Sequence, residues 1–338
     1  MKYNFLGNTG LLVSELCFGT MTFGGSEGMW GAIGKIQQDE ANDLIKTVVD
    51  SGINFIDTAN VYSFGLSESL LGQSIKTLGL NRDELVIATK VRGKMSEGKN
   101  DIGLSRFHIF NSVDLSLKRL QLDHIDVLYV HGVDKRTPVE EIMRSLNDIV
   151  MTGKVRYVAV CNWPAWMVMQ ANGIAEKNGW HKFVGMQYYY SLAGRDIERE
   201  VLPLAIDQSI GVMPWSPLAG GFLSGKYTRD TEKAGDSRRD VFDFPPVNKD
   251  KAYDIIDVIA EIGKAHNTSA AQIALAWVRH QQGITSTIIG AKNTAQLLDN
   301  IKSTEVELST DELKRINEVS ALPKEYPGWM VERQNEGR

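Results

Sequence analysis

Eight short apolar segments alternate with longer amphipathic segments along this chain of 338 residues. Most of the short segments are nearly continuous apolar runs, which is typical of parallel strands that are covered on both faces. The predicted strands are 15–20, 53–59, 84–90, 125–131, 155–162, 183–190, 211–218 and 285–291. Eight strand–helix alternations without a hairpin between strands favour a closed (β/α)8 barrel of the α/β class over an open sheet.

The segments between the strands have the pattern of helices that pack on one face. Residues 39–52 begin at an Asp and end at a Gly, and 105–121 and 137–154 have the same amphipathic design. The first residues depart from this alternation. Segment 3–13 predicts a β-hairpin that turns at 8–10 and plugs the bottom of the barrel.

The connection after the seventh strand, residues 219–284, is far longer than one helix requires. Its first part forms a long loop at about 219–250, polar from 226, and a loop of that length in a compact domain usually has a function. No segment has the composition of an interdomain linker. The sequence therefore predicts one barrel domain over residues 1–338, with a C-terminal tail at about 322–338.

Composition excludes several classes of function. With 43% hydrophobic residues, 23% charged residues and a net charge of −5, the chain is not expected to bind nucleic acid or an anionic membrane as its main partner. It lacks the apolar core of a signal peptide and any run of about 18 apolar residues, which predicts a cytoplasmic protein. Cys17, Cys161 and the six histidines show no ligand spacing, so no metal site is predicted.

Polar residues end the predicted strands, and in a (β/α)8 barrel the active site lies at these carboxyl ends. The residues at or just after the strand ends are Gly19, Thr20, Met21, Asp57, Tyr62, Lys90, His131, Asn162, Gln187, Trp215, Ser216, Gly290, Ala291 and Lys292. Four of them are ionisable and come from three successive strands and one loop. We expect Asp57, Tyr62, Lys90 and His131 to converge.

A tyrosine beside a lysine can act as a proton donor. To do so near neutral pH its pKa must fall from about 10 toward 7, which corresponds to roughly 4 kcal/mol. An ammonium about 4 Å away supplies on the order of 4 kcal/mol at an effective dielectric constant of 20. Lys90 could therefore lower the pKa of Tyr62 while Asp57 keeps Lys90 charged. His131 could orient a carbonyl or relay the proton, and the set suits carbonyl reduction by hydride transfer.

Seven motifs resemble the aldo-keto reductases, in the branch of bacterial reductases that is related to the potassium-channel β-subunits. They are "FIDTANVY", "IATK", "VLYVHGVD", "GKVRYVAVCN", "MQYYYS", "PWSPLAGGFLSGKY" and "IIGAKNTAQLLDN", and the resemblance covers about residues 1 to 325. It implies a TIM barrel, reduction of aldehydes or ketones with NADPH, and a catalytic tetrad of Asp57, Tyr62, Lys90 and His131 with Tyr62 as general acid. The expected partner is a small-molecule carbonyl substrate.

The resemblance also implies cofactor contacts. Trp215 would stack on the nicotinamide, Asn162 and Gln187 would bind its carboxamide, and Lys292 would meet a 2′-phosphate, which favours NADPH over NADH. The other expected cofactor-binding residues are Gly19, Thr20, Met21, Asp57, Ser216, Pro217, Leu218, Gly220, Gly225, Lys226, Gly290, Ala291, Gln296 and Asn300. Three positions depart from the usual family pattern, namely Cys161 for Ser, Gln296 for Arg and Gly132 for Trp.

Several alternatives stay open at this stage. The stretch "AGGFLSGKY" lacks only a final Ser or Thr to match a triphosphate-binding loop, because Tyr227 stands there. That leaves a phosphotransferase as a hypothesis. A nucleotide-binding regulatory module that senses redox state, like the channel β-subunits, is another. Trp30 and Phe23 are candidate substrate contacts or core packing. The sequence does not predict the physiological substrate or the oligomeric state.

Overall fold

The computed structural model describes residues 1–25, 28–229, 231, 239 and 242–337. The chain begins with an antiparallel pair, β1 (Tyr3–Phe5) and β2 (Leu12–Ser14). The following strands are β3 (Leu16–Gly19), β4 (Phe55–Asp57), β5 (Val86–Val91), β6 (Ile125–Val130), β7 (Val155–Cys161), β8 (Gly185–Tyr189), β9 (Gly211–Trp215) and β10 (Thr287–Ile289). They are parallel and adjacent in the order β10-β3-β4-β5-β6-β7-β8-β9.

The ring closes between β9 and β10, the two strands at the ends of this order. The amide of Thr285 donates to the carbonyl of Val212 at 2.8 Å, and Val212 forms a parallel bridge with Ile284. The predicted (β/α)8 TIM barrel is therefore confirmed. In this ring β5 lies opposite β9, and β6 lies opposite β10.

Helices surround the ring and follow most of the strands. They are α1 (Gly28–Ile33), α2 (Gln38–Asp50), α3 (Leu66–Thr77), α4 (Arg106–Leu120), α5 (Val139–Met151), α6 (Ala165–Asn178), α7 (Val201–Asp207), α8 (Lys249–His266), α9 (Ala270–His280), α10 (Thr294–Ile301), α11 (Thr310–Ser320) and α12 (Gly328–Asn335). The predicted helices 39–52, 105–121 and 137–154 correspond to α2, α4 and α5, and each extends slightly beyond the observed helix. No helix in the described part of the chain is long and apolar enough to span a membrane.

The apolar core has two layers. The larger one lies between the strands and the helices, and a smaller one fills the barrel interior with side chains such as Phe55, Tyr129 and Met213. Leu6, from the turn of the hairpin, belongs to the interior layer and is 0% exposed. A Cβ at Gly7 would lie 2.4 Å from the carbonyl oxygen of Val184. The hairpin therefore presses on the bottom of the barrel, as predicted.

The long connection after β9 begins with a 3-10 helix, Ala219–Ser224, and reaches α8 at Lys249. Residues 230, 232–238, 240 and 241 of the predicted loop lie outside the described residues. The described part includes Phe244, which stacks on Trp215 with 5.8 Å between the ring centroids and 11° between the planes. The loop therefore returns to the carboxyl-terminal mouth of the barrel.

Candidate active site

Lys90 is the centre of the candidate site. It lies on β5, and its side chain is fully buried. Its ammonium donates to Asp57 Oδ2 at 2.5 Å, to the carbonyl of Thr58 at 2.7 Å and to Tyr62 Oη at 3.3 Å. An ammonium has three protons, so every donor of Lys90 has an acceptor. The residue is fixed in one position rather than free to reach solvent.

The predicted tetrad residues are brought together. Asp57 ends β4, and its second oxygen, Oδ1, accepts from Gln187 Nε2 at 2.9 Å. The ring of His131, which follows β6, lies edge-on to Tyr62 with 5.8 Å between centroids. The arrangement places a phenol, an ammonium, a carboxylate and an imidazole at one end of three adjacent strands.

The pKa of Tyr62 shifts in the direction opposite to the sequence expectation. Burial raises it above its ordinary value, Lys90 lowers it, and Asp57 raises it again. Lys90 acts in the expected direction, but the expected net fall of the pKa was wrong, because it omitted the larger effect of burial on the phenolate. Tyr62 therefore holds its proton firmly.

The charges of the other members follow from the same balance. Burial, the largest single influence, would lower the pKa of Lys90. The field and the hydrogen bond of Asp57, together with the fields of Tyr62 and Cys161, raise the pKa above its ordinary value, so the ammonium stays charged. Burial, with Lys90 and Arg92, lowers the pKa of His131 well below its ordinary value. His131 is therefore a neutral imidazole at neutral pH.

The turn that carries Tyr62 is held by a cluster of buried hydroxyls. Ser67 lies in the first turn of α3. Its Oγ forms hydrogen bonds with Thr20 Oγ1 at 2.8 Å and with Thr58 Oγ1 at 3.1 Å. Its hydroxyl also donates to the carbonyl of Thr20 at 2.8 Å. All three side chains are 0% exposed. Thr20 was predicted to bind the cofactor, but its hydroxyl belongs to this scaffold.

A buried carboxylate supports the same turn from the helix side. Glu68 is 0% exposed and accepts from Thr89 Oγ1 at 2.6 Å and from Arg119 Nε at 2.6 Å. Thr89 precedes Lys90 on β5. A Cβ at Gly65, where φ is +93°, would lie 2.6 Å from Arg119 Cδ, so the turn closes over the arginine. Sequence patterns gave no signal for this network.

The predicted substrate contacts have different outcomes. Trp30, on α1, lies edge-on to Tyr62 with 5.9 Å between ring centroids, so it borders the site. Phe23 does not, and its prediction is corrected here. Its side chain is 0% exposed and packs on Phe18 at 6.0 Å, because the chain after β3 turns inward. Met21 and Gly19 are half-buried near the same strand end.

The predicted nicotinamide contacts lie at the ends of β7, β8 and β9. Trp215 is half-buried, and its Nε1 donates to Asn162 Oδ1 at 3.0 Å. Tyr189 and Phe244 lie against the indole, with centroids 5.2 Å and 5.8 Å away. Among the described residues, the amide NH2 of Asn162 has no hydrogen-bond acceptor, whereas one N–H of Gln187 donates to Asp57.

The loop after β9 contains several residues with positive φ. Ser216, Gly220, Gly221 and Gly225 have φ values of +54°, +67°, +94° and +82°. Nothing lies within 4 Å of a Cβ placed on Gly221, and Ser224 Oγ is buried without a hydrogen-bond partner among the described residues. An open glycine and an orphaned hydroxyl fit a dinucleotide pyrophosphate. In the same segment Pro217 is buried, Leu218 packs on the core and Lys226 is exposed.

The segment after β10 is ordered by its own side chains. Asn300 Nδ2 donates to the carbonyl of Gly290 at 3.1 Å, and Gln296 Oε1 accepts from the amide of Lys292 at 2.8 Å. Gly290 and Lys292 are exposed, whereas Ala291 is buried. The segment therefore presents an exposed edge at the start of α10, where a helix favours anions. The described residues contain no group of three or more His, Cys, Asp or Glu that could hold a metal.

The Lys–Asp–Tyr arrangement lies at the carboxyl ends of the strands, where the active sites of (β/α)8 enzymes are found. The family model described as "Aldo/keto reductase family" matches residues 15–321, and the chain belongs to this family. The family inferred from the motifs is thereby confirmed, and the relatives described next confirm the branch.

The relatives agree with that assignment. An uncharacterized oxidoreductase, YrpG, of Bacillus subtilis (strain 168) is 38% identical, over 96% of this chain and 97% of its own length. The versiconal hemiacetal acetate reductase of Aspergillus parasiticus is 35% identical, over 97% and 99%. A probable voltage-gated potassium channel subunit beta of Arabidopsis thaliana is 35% identical, over 90% and 92%. Together with the family match, they identify an oxidoreductase.

Proposed function

We propose that this enzyme reduces aldehydes or ketones to alcohols with NADPH, and that Tyr62 is the proton donor. The observation that carries the proposal is the position of Lys90, 3.3 Å from Tyr62 Oη and 2.5 Å from Asp57. A charged lysine held by a carboxylate and aimed at a phenol suits proton transfer to a developing alkoxide.

The residues divide the work of the reaction. NADPH, when bound, supplies a hydride to the carbonyl carbon. Tyr62 donates its proton to the carbonyl oxygen, and the ammonium of Lys90 stabilises the phenolate that remains. His131, as a neutral imidazole, donates a hydrogen bond that orients the carbonyl oxygen. Asp57 keeps Lys90 charged in a site that would otherwise favour the neutral amine.

The cofactor would lie across the other strand ends. We assign the nicotinamide to Trp215 and Asn162, and the pyrophosphate to the backbone of 219–225 with Lys226. The adenosine end would lie on 290–292 and the start of α10, with Lys292 at a 2′-phosphate. This last contact is the basis for preferring NADPH to NADH.

Replacing Tyr62 tests the proposal. We expect Tyr62→Phe to bind NADPH as the wild type does and to lose roughly 100- to 10,000-fold in kcat, the usual contribution of a general acid. Fluorescence titration measures binding, and NADPH consumption with 4-nitrobenzaldehyde measures turnover. Tyr3→Phe, which removes one hydroxyl at the opposite end of the barrel, is the matched control. Turnover near the wild-type rate in Tyr62→Phe would show that another group supplies the proton.

A second candidate function is favoured by two relatives. Potassium channel subunits beta from Arabidopsis thaliana and Oryza sativa subsp. japonica are 35% and 34% identical to this chain. We therefore consider a regulatory module that binds the nucleotide and oxidises it slowly. Sustained steady-state consumption of NADPH with an aldehyde supports the enzyme, whereas one slow turnover with tightly retained nucleotide supports the module.

A further inference from the structure

Arg92 lies beside the candidate site, where neither the sequence motifs nor the tetrad assign it a role. It is the first residue after β5 and comes two residues after Lys90. Its Nε donates to the carbonyl of Val133 at 2.9 Å. A Cβ at Gly132 would lie 3.4 Å from Arg92 Cδ, so the side chain crosses the residue that follows His131. The guanidinium is thus placed at the mouth of the barrel.

The charge of Arg92 has no carboxylate partner among the described residues. The side chain is half-buried, and its hydrogen bond to Val133 uses only Nε, so the two terminal nitrogens keep four N–H donors. Glu97, the nearest acid along the chain, pairs with Lys94. Asp134, which follows Val133, accepts from the amides of Leu104 and Arg136 and from Thr137. A partly buried cation with unused donors is a binding group for an anion.

Other arginines show how unusual this position is. Within the described ranges, the remaining arginines that form no ion pair with an acid are all exposed, namely Arg136, Arg144, Arg156 and Arg333. Water satisfies such side chains. The partly buried ones, such as Arg82, Arg119 and Arg279, pair with Asp126, Glu68 and Glu15. Arg92 combines partial burial with an unpaired charge.

The position of Arg92 points to the substrate rather than the cofactor. β5 lies opposite β9 in the ring, and β9 leads into the loop that we assign to the pyrophosphate. The field of Arg92 also reaches His131, because it helps to lower the pKa of that imidazole. An anionic group that met Arg92 would therefore sit beside the carbonyl that His131 orients.

We propose that Arg92 binds a carboxylate of the substrate, so that the enzyme prefers aldehydes or ketones that carry a carboxylate over neutral ones. The inference rests on the proposed reductase function and names its substrate class. A guanidinium is suited to this role because its planar N–H groups match the two carboxylate oxygens. Gly132 makes room for it, with φ at +146° and no side chain to displace the arginine.

The test compares charged and neutral substrates of similar shape. The 2-, 3- and 4-carboxybenzaldehydes are measured against the three nitrobenzaldehydes at saturating NADPH, in wild type, Arg92→Met and Arg136→Met. We expect a carboxylate preference in the wild type for at least one isomer. Arg92→Met should lower kcat/KM for that isomer roughly 10- to 100-fold, mainly through KM, since hydrogen bonds to charged groups have that strength. The nitro compounds and Arg136→Met should change less than about twofold.

The outcomes separate the two proposals. If the wild type reduces nitrobenzaldehydes without any carboxylate preference, the Arg92 assignment is wrong and the reductase proposal stands. Equal losses on both substrate sets in Arg92→Met would show a purely structural residue. Failure to reduce either set would overturn both. If Arg92→Met does not fold, wild-type inhibition decides, because benzoate should compete with 4-nitrobenzaldehyde and benzamide should not.

Discussion

The two halves of the barrel mouth are built in different ways. On the side of β4, β5 and β6, the central pair of Lys90 and Asp57 is buried and its two charges hold each other in place. On the side of β7 to β10, most of the expected cofactor contacts are exposed or half-buried, and some lie in backbone turns with positive φ, such as Gly225.

The difference follows from what each half must do. Proton transfer gains from charges that are fixed before the substrate arrives, in a site from which water is excluded. A dinucleotide has to enter and leave, so its groove needs open backbone and a loop that can be displaced. Phe244, which stacks on Trp215, lies in the described part of the loop after β9, beside the groove that we propose for the cofactor. The side of β7 to β10 is therefore expected to tolerate substitution better than the side of β4 to β6.

The largest effect is expected from Lys90→Met. Asp57 would then be a buried carboxylate without a partner, which lowers the free energy of unfolding by about 3–5 kcal/mol, and turnover would be lost with the cation. Urea denaturation and NADPH consumption measure the two effects. The double variant Asp57→Asn with Lys90→Met should regain most of the stability and none of the turnover. Equal stability of the single and double variants would contradict the idea of a charge pair held by burial.

A smaller effect is expected on the cofactor side. Lys292→Met should raise the Kd for NADPH about tenfold, equivalent to about 1.4 kcal/mol, because it removes a charge from the 2′-phosphate. It should leave NADH binding and stability unchanged, since Lys292 is exposed. Lys226→Met is the matched control and should weaken both nucleotides alike. If Lys292→Met weakened NADH as much as NADPH, the 2′-phosphate assignment would be wrong.

The smallest effect is expected from pH. Reduction requires protonated Tyr62 and neutral His131. The pKa of Tyr62 is raised above its ordinary value of about 10, so its proton is lost only as the pH rises past that range. The pKa of His131 lies well below about 6.5, so it is protonated only as the pH falls below that value. We expect kcat/KM for a neutral aldehyde to stay level from about pH 7 to about pH 9. If kcat/KM instead falls with an apparent pKa between about 7 and about 9, the bound cofactor lowers the pKa of Tyr62 and reverses the shift described above.

The sequence predicted the barrel and the convergence of the tetrad residues because both depend on local patterns. Apolar runs mark buried parallel strands, and polar residues that end such runs meet at one edge. It left open whether Phe23 contacts substrate or packs in the core, and the structure buries it. Nor could it give the direction of the pKa shift of Tyr62, which is a sum of burial and two opposing charges.

Two supporting features lacked any local pattern. Glu68 lies on a helix, where a glutamate is usually on the surface. It is buried only because Thr89 and Arg119, which are 21 and 51 residues further along the chain, supply its hydrogen bonds. Arg92 follows a strand like many surface arginines, and the role that we propose for it rests on its contacts with the loop after β6. Both depend on tertiary packing.

A crystal structure with NADP+ bound tests the division of the mouth most directly. The quantity to measure is the distance from the nicotinamide C4 to Tyr62 Oη. We predict that the ring lies on Trp215, with C4 and Oη close enough for one carbonyl group to contact both. A dinucleotide bound with its nicotinamide away from Tyr62, or at the hairpin end of the barrel, would contradict the account.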